Sequence, residues 1–282
     1  MENAATASLQ TIERAIITKY RKKLWTKFTA AIRDFELIQD GDKIAVAISG
    51  GKDSTMMAKL FQELYAHGHR NFELRFIAMD PGYHETNRQT LIANCQHLDI
   101  PLKIFESQIF RIVDNIAADY PCYMCAKMRR GALYAQAQQL GCNKLALGHH
   151  FNDVIETTML NMFYAGTFKT MLPKLKSANF PGLELIRPMY YVEEQAIEKF
   201  MAEYGIQALN CACRVAAERT GNQRYAVKEL IAELKQKFPH VDQMIMRAAR
   251  NVNLDCVLGW QQGGTKYSYL DFYDQEQINR EN

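Results

Sequence analysis

Apolar residues recur at Ile12, Ile16, Tyr20, Leu24, Phe28, Ile32 and Phe35, at steps of four and three. That spacing predicts one long amphipathic helix over residues 9–35, with its stripe turned to a core. From residue 43 the period changes. Short apolar runs read as strands: KIAVAIS (43–49), ELRFIAMD (73–80), LKIFES (102–107) and KLALGHH (144–150), with LELIRPMYY (183–191) a candidate fifth. Helical stretches near 54–67, 86–98, 109–118, 127–140 and 153–164 lie between them. Such alternation predicts an α/β fold, a parallel sheet with helices on both faces. An N-terminal helix precedes it and a mostly helical C-terminal segment, the last 70 or so residues, follows.

In sheets of this kind ligands bind beyond the carboxyl ends of the strands. Four clusters fall at or after predicted strand ends: Ser49–Ser54, Asp80–His84, Cys122–Cys125 and Gly148–Asp153. The first, AVAISGGKDST (45–55), empties a strand into two glycines, a lysine, an acid and hydroxyls. Gly50 and Gly51 let the backbone approach a phosphate and take positive φ, so that successive N–H groups point at the anion. Ser49 and Ser54 flank that turn, the following helix adds its N-terminal dipole, and Lys52 adds a mobile charge. The common P-loop is excluded, because Val46 stands where its first glycine belongs and Asp53 follows the lysine. The dinucleotide fingerprint G-x-G-x-x-G is absent.

Charge and cysteine content narrow the setting. The net charge of the 282 residues is only +3, so affinity for nucleic acid must come from local clusters. Such clusters occur at Lys19, Arg21, Lys22, Lys23 and Lys27, at Lys127–Arg130, and at Lys169–Lys176. They suit either a solvated face or an RNA backbone. The first residues contain acids and no continuous apolar run, and no stretch approaches the roughly 18 apolar residues of a membrane span. A cytoplasmic protein without membrane attachment is expected, in which seven cysteines mean metal, catalysis or packing rather than disulfides. Cys122 and Cys125 form a C-x-x-C behind Pro121, read as a loop, with Lys127, Arg129 and Arg130 close enough to favour thiolates. Cys211 and Cys213 form a second cluster. Three thiolates would leave an iron–sulfur cluster with one open iron, whereas four would close a zinc site. Cys95, Cys142 and Cys256 stand alone and read as packed thiols.

SGGKDS resembles the PP-loop of the ATP pyrophosphatases that adenylate their substrates. PCYMCAKMRRGALY (121–134), LGHHFNDVIETTMLNMFYAGTFKTMLPKL (147–175) and IRPMYY (186–191) resemble the tRNA 2-thiocytidine synthetase family within that superfamily. The likeness runs over roughly residues 10–215. It implies an adenine nucleotide alpha hydrolase-like fold and replacement of oxygen by sulfur at C2 of an anticodon-loop cytidine. It also implies ATP, Mg²⁺ and an oxygen-sensitive [4Fe-4S] cluster held by three cysteines. A tRNA partner, a sulfur donor such as a cysteine desulfurase, and a homodimer complete the expectation. On this footing residues 1–40 are a helical arm, 41–205 the ATP-binding core with a cysteine insertion, and 206–282 a helical segment bringing the third cysteine.

Carried onto this chain, ATP contacts fall to Ser49, Gly50, Gly51, Lys52, Asp53, Ser54, Asp80, Gly148 and His149, and catalysis to Lys52, Asp53 and Asp153. Asp80 serves adenine or ribose, or else caps the turn DPGY. Cluster ligands are Cys122, Cys125 and Cys211, with Cys213 the alternative, and RNA contacts include Lys22, Lys23, Arg129 and Arg130. Two departures stand out. The second pair is C-x-C before Arg214 instead of C-x-x-C before Gly-Ser-Gln, and Asn152 replaces the first of two acids after the histidines. An amide brings no charge to Mg²⁺, which places that role on Asp153 with Asp53. The alternatives are a PP-loop enzyme acting on another base or small molecule, and a non-catalytic nucleotide- and cluster-binding sensor.

Overall fold

A computed structural model describes residues 7–68, 70–80, 85–107, 121–209 and 221–273, at 121–127 and 221–222 for the backbone alone. Its centre is a six-stranded sheet in the order β3-β2-β1-β4-β6-β5. The strands are β1 (Lys43–Ala47), β2 (Glu73–Asp80), β3 (Leu102–Glu106), β4 (Lys144–Ala146), β5 (Lys174–Lys176) and β6 (Glu184–Ile186). All neighbours pair in parallel except β5 with β6. The order reverses between β1 and β4, and this switch point is where a doubly wound sheet opens a crevice.

Alternation along β1 explains the layers. Ile44, Val46 and Ile48 pack into one buried cluster with Met56, Leu60 and Phe61 of α3 (Lys52–His67). Ala45 and Ala47 join the cluster on the other face, with Tyr134 and Ala137 of α5 (Pro121–Gln139). Small residues on that side let the crossover helix lie close to the strands. Helix α4 (Glu85–His97) connects β2 to β3.

The stripe over residues 9–35 is buried as expected, with Ile12, Ile16, Leu24 and Phe28 wholly inaccessible. It is carried by two helices, however, α1 (Leu9–Ile17) and α2 (Trp25–Asp34), not one. Thr18 folds its hydroxyl back to the Arg14 carbonyl at 2.6 Å, and the next amides reach five residues back, Tyr20 N–H to Ala15 and Thr26 N–H to Arg21. A β-branched pair followed by four cations within five residues is poor helix, and the wider turn keeps the stripe in register. Glu203 draws Lys19 and Tyr20 together there, at 2.5 and 2.8 Å.

Helix α6 (Phe151–Ala165) is covered by α8 (Gly221–Lys237) and α9 (Val241–Ala248). Phe151, Val154, Ile155 and Met159 meet Val227, Ile231 and Met246. Helix α7 (Glu194–Glu203) packs Ile197, Phe200 and Met201 into the main cluster. Beyond α9 the mostly helical C-terminal segment also carries a hairpin, β7 (Gly259–Gln262) with β8 (Thr265–Ser268). Gly263 and Gly264 take φ of 59° and 86°, the paired positive values of a tight two-residue turn. Among the described residues no helix is long and apolar enough to cross a membrane.

The N-terminal helices are continuous with the core, and one ring tests this. Phe28 is fully buried and meets Phe61 of α3 edge-on at 5.4 Å. Phe28→Ala is expected to lower stability by about 3–5 kcal/mol in urea unfolding, in one transition shared by the whole sheet.

Candidate active site

The loop after β1 and the loop after β4 meet at the switch point. Gly50 has φ +82°, and a Cβ there would stand 2.4 Å from Leu209 Cδ1, so glycine is required on both counts. Gly51 has an ordinary φ of −73° and caps α3, so only one of the pair uses the left-handed region. Ser54 fixes the loop: its hydroxyl accepts from Ser49 N–H at 3.1 Å and donates to the Gly51 carbonyl at 3.0 Å. Gly148 lies against the same turn, where a Cβ would come within 3.1 Å of Ser54 N. The strand before it ends at Ala146, four residues short of the run read from sequence, which leaves Gly148–His150 as loop.

His150 begins α6. Its backbone N–H donates to Asp153 Oδ2 at 3.0 Å, and its Nδ1 accepts from Asp153 N–H at 3.4 Å. The imidazole lies between two carboxylates, with Nε2 3.7 Å from Asp53 Oδ1 and Nδ1 3.5 Å from Asp153 Oδ2. Burial pushes the Asp53 carboxyl above its ordinary value, against the pull of His150 and Lys52. His149 lines the cavity and has a buried Nδ1 without hydrogen-bond partner. Burial, with Arg187 nearby, brings that imidazole down to about 4, so it is neutral at pH 7.

Ser49, Asp53, Ser54, Gly148, His149, Asp153, Arg129 and Arg224 line a cavity of about 620 Å³, well within the range of small-molecule sites. Asp80 is not among its lining residues; it is buried at the end of β2 with Arg88 Nε 3.3 Å away. Residues 81–84 of the turn lie outside the described residues. Lys52 is drawn aside, with Glu194 Oε1 at 2.9 Å and Asp53 Oδ2 at 3.2 Å. Glu194 also takes Lys228 of α8 at 2.6 Å. Burial alone would raise the Glu194 carboxyl, but Lys228 and Lys52 bring it down to about 2. Asn152, where the resemblance leads one to expect an acid, accepts from Glu194 N–H at 3.0 Å and so caps α7.

Cys122 and Cys125 fall in the first turns of α5 and not in a loop, because Pro121 sits at the first helical position, where a missing N–H costs nothing. The cavity-lining Arg129 and Leu133 follow on the same helix, Arg129 four residues or about 6 Å beyond Cys125. Cys211 and Cys213 lie outside the described residues, as does the helix expected over 109–118. Leu209, two residues before Cys211, donates its N–H to the Gly50 carbonyl at 2.9 Å. Cys95 and Cys142 are buried free thiols as expected, whereas Cys256 is exposed, on a short turn outside the core. Lys22, Lys23 and Arg130 are exposed. Among the described residues no three metal-ligating side chains converge. Arg224, Glu194 and Lys228 escaped the sequence reading, being joined to the site only across long separations.

The PP-loop domain model matches residues 20–210. A tRNA-cytidine(32) 2-sulfurtransferase of Pelobacter propionicus is 37% identical over 226 residues, 79% of this chain and 83% of that protein. The chain belongs to the PP-loop tRNA 2-thiocytidine synthetase family. Another member, the tRNA-cytidine(32) 2-sulfurtransferase of Geobacter sulfurreducens, is 38% identical over 82% of this chain and 90% of its own. A similar solved fold is the U34-tRNA thiolase NcsA from Methanococcus maripaludis with its [4Fe-4S] cluster, with a TM-score of 0.65 and 23% identity. That match covers 90% of this chain and 81% of the thiolase.

Two outcomes follow for this family member. Gly50→Ala is expected to destabilise by about 1–2 kcal/mol from φ alone, with further loss from Leu209, read by urea unfolding. Glu194 titrates lower folded than its ordinary 4.5, so its stabilisation is complete above that pH and is lost as pH falls toward 2. The gap in unfolding midpoint between wild type and Glu194→Gln should therefore be largest near neutrality and shrink steadily below pH 4.5.

Proposed function

We propose that this chain is an ATP-dependent tRNA sulfurtransferase that adenylates the C2 oxygen of cytidine 32 and replaces it with sulfur. One observation carries the reading: α5, the helix of Cys122 and Cys125, brings Arg129 and Leu133 into the wall of the cavity beside the phosphate loop, and Leu209, two residues before Cys211 in sequence, donates its N–H to the Gly50 carbonyl. A nucleotide fold with separate cysteine chemistry would not need that junction.

The donor sets suit the groups the family uses. Asp53 Oδ1 is buried in the cavity wall and accepts no hydrogen bond, with Asp153 across the same imidazole. Mg²⁺ is commonly held by one or two carboxylates beside substrate phosphates, and Asp53 and Asp153 would hold it, where it neutralises phosphate charge. Two of the three isolated thiols are buried in the core and the third is exposed at residue 256, away from the PP-loop in sequence. A [4Fe-4S] cluster would therefore fall to Cys122, Cys125 and Cys211, or Cys213 in its place, and would supply the sulfur-transfer chemistry when bound.

The chain's own residues do the rest. Backbone amides at the start of α3 receive the pyrophosphate half of ATP, and Lys52 adds its charge. Gly148 keeps the second loop close enough for His149, neutral, to offer a hydrogen bond without competing for the phosphates. Attack by the cytosine C2 oxygen on the α-phosphate releases pyrophosphate and leaves C2 bearing AMP, which sulfur displaces. Lys22, Lys23, Arg129 and Arg130 would meet the tRNA backbone, with affinity falling steeply as salt rises. Sulfur would come from an upstream donor such as a cysteine desulfurase. A cytoplasmic homodimer is part of the proposal, and exposed Phe163, Tyr164 and Leu172 give it an apolar surface to bury. The division at residues 40 and 205 stands as the matching proposal for arm, core and cysteine-bearing segment.

The test is anaerobic assay of purified protein with tRNA, ATP, Mg²⁺ and a sulfide source. Wild type should form 2-thiocytidine with pyrophosphate release. Lys52→Ala should lose both by at least about a hundredfold, as for removal of a transition-state cation. Cys122→Ser should lose thiolation alone. A Cys122→Ser protein that thiolates at the wild-type rate, or a colourless wild type containing zinc, would sink the sulfur half of the proposal.

A further inference from the structure

Arg224 stands in the cavity wall beside Ser49, Asp53, Ser54 and His149, although it comes from the C-terminal part of the chain. Its helix is seated by Val227 and Ile231 against α6, and Arg224 lies one turn before Val227. From there Nε reaches Glu156 Oε2 at 3.1 Å, and Nη2 reaches Asp153 Oδ1 at 3.5 Å and Thr157 Oγ1 at 3.3 Å. All three partners are on α6, so the guanidinium is aimed by one rigid element. Nη1, with two more N–H groups, takes part in none of these contacts.

Charge supports a role beyond packing. Around the loop and its cavity, Asp53, Asp153, Glu156 and Glu194 face Lys52, Lys228, Arg129 and Arg224. Lys52 and Lys228 are both held by Glu194. Arg224 lines the cavity and keeps 44% of its side-chain surface exposed. A planar fork suits two phosphate oxygens better than an ammonium does. We infer that Arg224 is a phosphate-binding residue of the ATP site, engaging the β,γ half that departs as pyrophosphate, with Glu156 and Asp153 fixing its direction. This rests on the reading of the cavity as an ATP site, but needs neither tRNA nor sulfur.

The experiment titrates full-length protein with α,β-methylene-ATP and, separately, with AMP. Arg224→Gln should weaken the triphosphate analogue by about tenfold to a hundredfold, as for loss of charge-assisted hydrogen bonds, and leave AMP within about twofold. Arg224→Lys, which keeps the charge beside Glu156, should fold normally and fall between the two. In the wild type, phenylglyoxal modification of Arg224, located by peptide mapping, should be blocked by the analogue and not by AMP. Equal losses for both nucleotides, no loss for the analogue, or equal protection by AMP would each overturn the assignment. A protein that binds neither nucleotide would instead refute the ATP site itself, and one that shows the difference yet thiolates no tRNA would refute only the proposed substrate.

Discussion

Glu194 holds two lysines with its two carboxylate oxygens, and the active-site geometry hangs on that bridge. Lys52 opens α3, Glu194 opens α7 and Lys228 belongs to α8, so one carboxylate joins three helices at the switch point of the sheet. With 14% of its side chain exposed, Glu194 is shielded enough for both pairings to matter. The phosphate loop is thus a folded consequence of tertiary contacts as much as of its glycines. Helix α8 lends Arg224 to the cavity wall, and α7 holds Lys52 of the loop through Glu194.

The local chemistry of the loop is tuned by enclosure. Burial raises the Asp53 carboxyl and lowers the His149 imidazole to about 4. His150 is locked as a helix cap between two acids, while its neighbour His149 is left neutral with an open ring nitrogen. Two adjacent histidines therefore do different work, one holding the loop's shape and one facing the cavity. Family membership and this arrangement point the same way, toward ATP-dependent tRNA thiolation.

Much of this was legible in the chain. Strand β2 ends where the apolar run ELRFIAMD ends, and the loop SGGKDS lies at the carboxyl end of β1 as the pattern requires. Local periodicity reports burial well, which is why the stripe over 9–35 was right even though the helix carrying it breaks at Thr18. It reports helix ends less well: Pro121 reads as a loop residue until its place at the first helical position is seen, and a histidine is an unusual cap. The turn Gly263-Gly264 could have announced its hairpin. Ion pairs such as Lys52–Glu194, 142 residues apart, leave no local trace, and so Glu194, Lys228 and Arg224 emerged only with the fold.

Asn152 shows how such a site can vary without being rebuilt. Its side-chain oxygen does a geometric task, receiving the first N–H of α7, and a carboxylate oxygen would do the same. Shape and charge are therefore separable at this position. An exchange between amide and acid at position 152 would alter the local charge by one while leaving in place the oxygen that receives the first N–H of α7.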